Sequence, residues 1–373
     1  MNKAHPNHVK VMYLMFLRIA RISWPYILGM LIVSLGIMAR NVPGIVLDDG
    51  AFFLKYAENM SIGHFWQYNI EDAPVWGASA PLYPLLVAPL IKIGISGVLA
   101  IKTIGFALVN FTTCIAIRFF KQLGILYGLF CSCLIALSTV ITSNAIAGLE
   151  TPLSLSLISL TLLILKGHRK VDVNPFIAAG SAAVLAILGI NKLDLLPLSI
   201  LAMILYAVSI NRSKFAMSVS VATYSLIIVG SYSFFWKYFG SPLPNSFVTK
   251  ALHQERLRII DWSWFTTNLY IENPFKLILF LIFVIYLIML LFGKDKSSHS
   301  IDAFILSDYW RPAVCCLFLV AYMTLAYTVK PPFEPYPWYL APPDFALSIL
   351  STFGMACLIN HSHTYMFLRK ANP

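Results

Sequence analysis

Ten apolar runs recur along the chain, at about 23–40, 98–117, 125–142, 152–166, 175–190, 195–210, 215–235, 275–292, 312–329 and 341–359. Most approach the ~20 residues a helix needs to cross the hydrocarbon core of a bilayer. Backbone in lipid must satisfy its own hydrogen bonds, so such runs read as membrane helices. Composition agrees, with 59% hydrophobic residues, 12% charged residues and a mean hydropathy of +0.77, far from a soluble domain. The expected fold is an all-α polytopic membrane protein with about ten transmembrane helices in a single domain over 1–373.

The stretch 81–96 is different. It is short, holds Pro81, Pro84 and Pro89, and carries Lys92. If it does not cross, then Arg118/Lys121, Lys166/Arg169/Lys170, Arg212/Lys214, Lys294/Lys296 and Arg369/Lys370 all share the side of the basic N-terminus (Lys3, Lys10, Arg18, Arg21). If it crosses, each of those clusters moves outside, against the positive-inside rule. We therefore read 81–96 as a re-entrant or interfacial helix, and 9–21 as an amphipathic cytoplasmic lead-in to an uncleaved anchor. The net charge of +11 lies mostly in these short loops, so it is no sign of nucleic-acid binding. The six cysteines sit inside apolar runs and read as small core residues, with neither disulfide nor metal spacing.

That topology gathers the unusual polar residues on the outer face. Asp48 and Asp49 open a first outer loop, 41–97; Asn144 to Thr151 and Asn191 to Asp194 lie at later span ends. The outer loop 236–274 and the segment 330–340 complete the set. Carboxylates are costly at membrane depth and are usually retained there for a function. Glu150 is also explained as an acid at a helix N-terminus. Lys192 and Asp194 suit either substrate binding or a structural ion pair with each other. A lone loop histidine such as His64 or His253 is ordinarily just solvated. The aromatics Phe65, Trp66, Tyr68, Trp76 and Tyr83 can stack on sugar rings or form an interfacial belt.

These residues fall in a recognisable order. LDDGAFFLKYAENMSIGHFWQYN followed by WGASAPLYPLL, then GLETPL at 148–153, NKLD at 191–194, PLPNSF at 242–247 and WYLAP at 338–342 resemble the polyprenyl-phosphosugar-dependent, C-type membrane glycosyltransferases (GT-C). The likeness is greatest to the bacterial branch that includes terminal arabinofuranosyltransferases, and it spans about residues 45–345. Lys55 and Lys192 stand where that family favours Arg, Trp76 where an acid is common, and Trp338 where an Arg precedes Tyr339. Lys is a point charge and does not reproduce the bidentate grip of a guanidinium on phosphate.

The resemblance implies a hexosyl- or pentosyltransferase in a bacterial plasma (inner) membrane. It would move one sugar from a polyprenyl-phosphate donor to a cell-envelope glycan or lipid acceptor on the extracytoplasmic face. Such chemistry needs a carboxylate to take the acceptor proton and cations to hold the departing phosphate. Asp48 and Asp49 are the catalytic candidates, Asp48 favoured as base; one base without an opposing nucleophile implies inversion. Lys55, Tyr56, His64, Glu150, Lys192, Asp194, Asn245, Lys250 and Tyr339 are the donor- and substrate-binding candidates. Arg256 and Arg258 suit a phosphate clamp or headgroup contact equally. No protein metal site is expected, although the adjacent acids Asp48 and Asp49 can hold Mg²⁺ or Ca²⁺. The alternative class is a secondary transporter or lipid-linked glycan flippase, which intramembrane charges and Pro-rich helices also suit.

Overall fold

The computed structural model describes residues 8–40, 48–166, 173–245, 248, 269, 273–292, 308–329 and 339–371. Every element among them is a helix, and the described residues contain no strand. In chain order they are α1 (His8–Met38), α2 (Asp48–Ser61), α3 (Leu82–Lys92), α4 (Gly97–Phe120), α5 (Ile125–Leu137), α6 (Thr139–Asn144), α7 (Thr151–Lys166), α8 (Pro175–Asn191), α9 (Leu196–Ser209), α10 (Lys214–Phe239), α11 (Pro274–Phe292), α12 (Trp310–Val329) and α13 (Ala341–Ala371). Lys250, Arg256, Arg258 and the basic clusters at Arg169/Lys170 and Lys294/Lys296 lie outside the described residues.

Each apolar run is helical. Among the described residues, four stretches are long and apolar enough to cross a bilayer by length and composition: α4, α10, Trp310–Tyr327 of α12 and Ala341–Ile359 of α13. The other runs form shorter apolar helices. Local chemistry sets several ends. Asn174 caps α8, its side chain accepting from Phe176 N–H at 2.9 Å, with Pro175 at a first-turn position that lacks a needed donor anyway. Gly240, at φ 73°, ends α10 in the left-handed region that favours glycine.

The lead-in and the first span lie on one continuous helix, α1. One expectation is revised here: the run 125–142 is not a single helix. It breaks at Ser138, whose backbone is extended (ψ 112°) and whose hydroxyl accepts from Ile141 N–H at 3.0 Å to start α6. A serine that caps a new helix competes with continuation of the old one.

The 81–96 stretch forms only eleven helical residues, α3. At 1.5 Å per residue it is about 16 Å long, half the hydrocarbon thickness. It packs against α2 and the start of α4.

The core is centred on α13, of whose membrane-length stretch 83% is buried, against 11% for α10. A helix apolar all round is buried in protein or faces lipid, and the two helices take those opposite roles. Phe353 on α13 meets Phe120 (5.3 Å between ring centres), Tyr309 (5.4 Å) and Phe283 (5.6 Å). At the basic end of the bundle Lys166 donates to the carbonyl of Phe119 and lies over the Tyr309 ring at 4.5 Å. Arg311 donates to Leu165 O at 3.0 Å. These cations meet the last carbonyls of α4 and α7, where the helix dipole favours them.

α11 approaches α13 closely because Gly354 has no side chain. A Cβ there would lie 2.0 Å from the carbonyl oxygen of Leu279, so one helix must move. Gly354→Ala is expected to cost about 1–3 kcal/mol, the usual scale for overpacking. It should lower the thermal unfolding midpoint of the detergent-purified protein; an unchanged midpoint would show that α11 can yield freely.

Candidate functional site

Asp48 and Asp49 begin α2, where acids are favoured by the helix dipole. Asp49 is half-buried; the Asp48 side chain lies outside the described part. One face of α2 grips the loop that follows. Phe52 stacks on Tyr68 with ring centres 4.8 Å apart, and Tyr56 donates to Val75 O at 3.0 Å. Asn59 Nδ2 donates to both Gln67 O and Tyr68 O at 2.8 Å. His64 Nδ1 lies 2.8 Å from Gln67 Oε1. Burial, the largest influence, raises the Tyr56 phenol above its usual pKa, so Tyr56 stays a neutral donor and shapes this loop. Lys55 is half-buried on the same helix.

The structure joins the 242–247 motif to this loop, since Asn245 N–H donates to Trp76 O at 2.8 Å. The Asn245 side chain itself is exposed. Three of the aromatics considered for sugar stacking are packed away instead. Trp76 sits 4.2 Å from the Phe235 ring, Trp66 lies against Phe239, and Tyr83 meets Phe53 edge-on. All three are buried, whereas Phe65 and Tyr68 are exposed.

Four other candidates converge behind α2 and α3. Glu150 and Lys192 form an ion pair at 2.8 Å with side chains only 4% and 6% exposed. Lys192 Nζ also lies 5.7 Å from the centre of the Tyr339 ring. Tyr339 packs on Tyr327 at 5.0 Å, and Tyr327 donates to Asp194 Oδ2 at 3.0 Å. The chain reaches these positions by two interruptions. Gly148 (φ 81°) turns the backbone before Glu150, whose carbonyl then starts α7. Lys192 is extended (φ −150°, ψ 124°) between α8 and a single 3₁₀ turn at Leu193–Leu195.

This corrects the pairing read from the sequence. Lys192 pairs with Glu150, from a different helix connection, and Asp194 takes the Tyr327 hydroxyl. Burial disfavours the charged form of Lys192, but Glu150 and then Asp194 more than offset it and hold its pKa above the ordinary lysine value. With an acid already on it, Lys192 is poorly placed to receive a phosphate. Tyr83 links this cluster to the α2 layer: burial and then the Glu150 carboxylate push its phenol up. Around the pair, Asn144 Nδ2, Thr151 Oγ1 and Asn191 Oδ1 are buried without a hydrogen-bond partner among the described residues. Such groups ordinarily find a polar ligand or water.

A second buried pair had no place in the sequence reading. Lys276 and Asp344 lie 2.8 Å apart with side chains 4% and 3% exposed. The available signal was two lone opposite charges at the same end of two apolar runs. Among the described residues no group of three or more His, Cys, Asp or Glu could hold a metal ion.

This all-helical arrangement, with α2 and α3 set before the main bundle, has a counterpart among solved membrane-protein structures. A solved structure that it matches is ArnT from Cupriavidus metallidurans in the apo state, with a TM-score of 0.54 at 15% identity. The match covers 93% of this chain and 60% of the ArnT chain, so this chain spans less than two thirds of that chain's length. No protein-family model and no curated protein matches the chain.

Proposed function

We propose that this protein is a membrane glycosyltransferase that moves one sugar from a polyprenyl-phosphate donor to an envelope glycan or lipid on the extracytoplasmic face. The observation that supports the reading is the position of the acid pair: Asp48 and Asp49 open α2, which the charge pattern of the sequence assigns to the outer face, in a chain whose fold matches that of ArnT. In the reaction the acceptor oxygen bonds to the anomeric carbon as the bond from that carbon to the phosphate oxygen breaks. The acceptor proton passes to an aspartate, and the electron pair leaves with the polyprenyl phosphate. The departing phosphate is a weak base and needs cations rather than a general acid. Because Lys192 is held by Glu150, that work falls to Lys55 and to Lys250 of the outer loop. Glu150, Asp194 and Tyr339 are then assigned to hydroxyl groups of the bound sugar. A single base implies inversion.

The test is transfer by purified protein in lipid nanodiscs, offered a panel of polyprenyl-phosphate sugars and an envelope-lipid extract. Transfer from one member would identify the donor, and the anomeric configuration of the product would read the stereochemistry. Two buried ion pairs also suit ion-coupled transport, and an intact protein that transfers nothing but carries flux in proteoliposomes would establish that second reading.

A further inference from the structure

Ser138, Lys276 and Asp344 form a charge cluster that the proposed chemistry does not use. Lys276 Nζ donates to both oxygens of Asp344, at 2.8 and 2.9 Å, and Ser138 Oγ donates to Oδ2 at 2.5 Å. Ser351 on α13 adds a bond to Lys276 O at 2.8 Å. Buried ion pairs add little net stability over apolar residues of the same volume, so stability alone is a weak reason for this one. Its distinctive property is what it joins.

Two chain paths leave the cluster and both end at the Glu150–Lys192 pair. Along the first, the Ser138 hydroxyl that reaches Asp344 also accepts from Ile141 N–H and so caps α6. The chain stays tied beyond α6, with Ala145 N–H on Ile141 O at 3.2 Å and Ala147 N–H on Ser143 O at 3.0 Å, up to Gly148 and Glu150. Along the second, Asp344 N–H donates to Leu340 O at 2.9 Å, one residue past Tyr339. Tyr339 in turn faces Lys192. One carboxylate thus fixes both the segment that carries Glu150 and the helix start that carries Tyr339.

We propose that Ser138, Lys276 and Asp344 are positioning residues: a latch that sets the spacing between Glu150 and Tyr339 around Lys192. The consequence for catalysis rests on the transferase reading given above, but the geometry does not, and the experiment separates the two. The protein carries Tyr339→Cys in lipid nanodiscs, where both faces are open to a water-soluble maleimide, and the parent with native Tyr339 gives the background from its own cysteines. Ser138→Ala, and separately the paired Lys276→Met/Asp344→Leu, should raise the labelling rate about fivefold or more, as local opening frees the start of α13. Ser138→Thr, which keeps the hydroxyl and the cap, should stay near the parent rate. On the native Tyr339 background the same two disrupting changes should lower transfer about tenfold or more, a modest loss for misplacement away from the reacting atoms, and Ser138→Thr should restore it. Unchanged labelling in both disrupting variants, or equal labelling with Ser138→Thr, overturns the latch. The expected labelling pattern in a protein that transfers nothing even as wild type upholds the latch and removes the transferase reading.

Discussion

Asp48→Asn lowers sugar transfer by about 10²- to 10⁴-fold, the range for loss of a positioned general base, while insertion and the thermal midpoint stay near wild type. The stability part follows from position. Asp48 is the first residue of α2, where asparagine is a comparable helix starter. The activity part follows from the proposed chemistry, in which the acceptor hydroxyl loses its proton as the new bond forms and an amide cannot take it. Asp49→Asn is the matched control. Adjacent helical positions point apart as a rule, so a single base predicts one severe variant and one mild one. Initial rates with the donor found in the panel, at saturating acceptor, decide it. Equal and small losses in both variants would remove the acids from catalysis. Equal and severe losses would mean that they act jointly, and would reopen a divalent ion between them.

Lys192→Met destabilises the protein by about 3–5 kcal/mol, because it leaves the Glu150 carboxylate buried and uncompensated. Glu150→Gln should cost less, since a neutral amide can still accept from Lys192, and the double variant should recover much of the loss. The pH dependence has a definite sign. Lys192 has a folded pKa above its ordinary value, so its contribution is fully present below the unfolded lysine pKa of ~10.4 and fades only as pH rises past it. Thermal midpoints of the wild type between pH 7 and 9 (roughly, well below that lysine value) should therefore show no loss from this group. A double variant no better than Lys192→Met alone would mean that Glu150 is not the residue that Lys192 compensates.

Much of the scaffold was legible in the chain. The apolar runs all became helices, and the shortness of 81–96, with its three prolines and Lys92, foretold the short α3. The failures have physical causes. Ser138 looks harmless within an apolar run; only its hydroxyl, turned onto Ile141 N–H and Asp344, makes it a break. Lys192 and Asp194 are two residues apart, and nearness in sequence suggested that they pair. The extended backbone at Lys192 sends the side chains to different partners, Glu150 on one side and Tyr327 on the other. Trp76 and Tyr83 illustrate a further blind spot. A ring that stacks on sugar and a ring that seals one helix against another have the same composition signal, and only the neighbours Phe235 and Phe53 distinguish them. Lys276 and Asp344 are 68 residues apart, so no local pattern connects them.

The lengths of three short helices with exposed apolar side chains bear on the lipid around the protein. α5, α8 and α9 have 13, 17 and 14 residues, which at 1.5 Å each amounts to roughly 20–26 Å against a hydrocarbon core of ~30 Å. Acyl chains beside this sector must compress or the headgroups must sink to meet the helix ends. On the proposed reading, a polyprenyl-phosphate donor anchored there would present its phosphate below the level of the undisturbed surface. Bilayer thickness becomes a parameter of substrate delivery: thinner membranes would relieve the mismatch, and thicker, more ordered ones would crowd the approach.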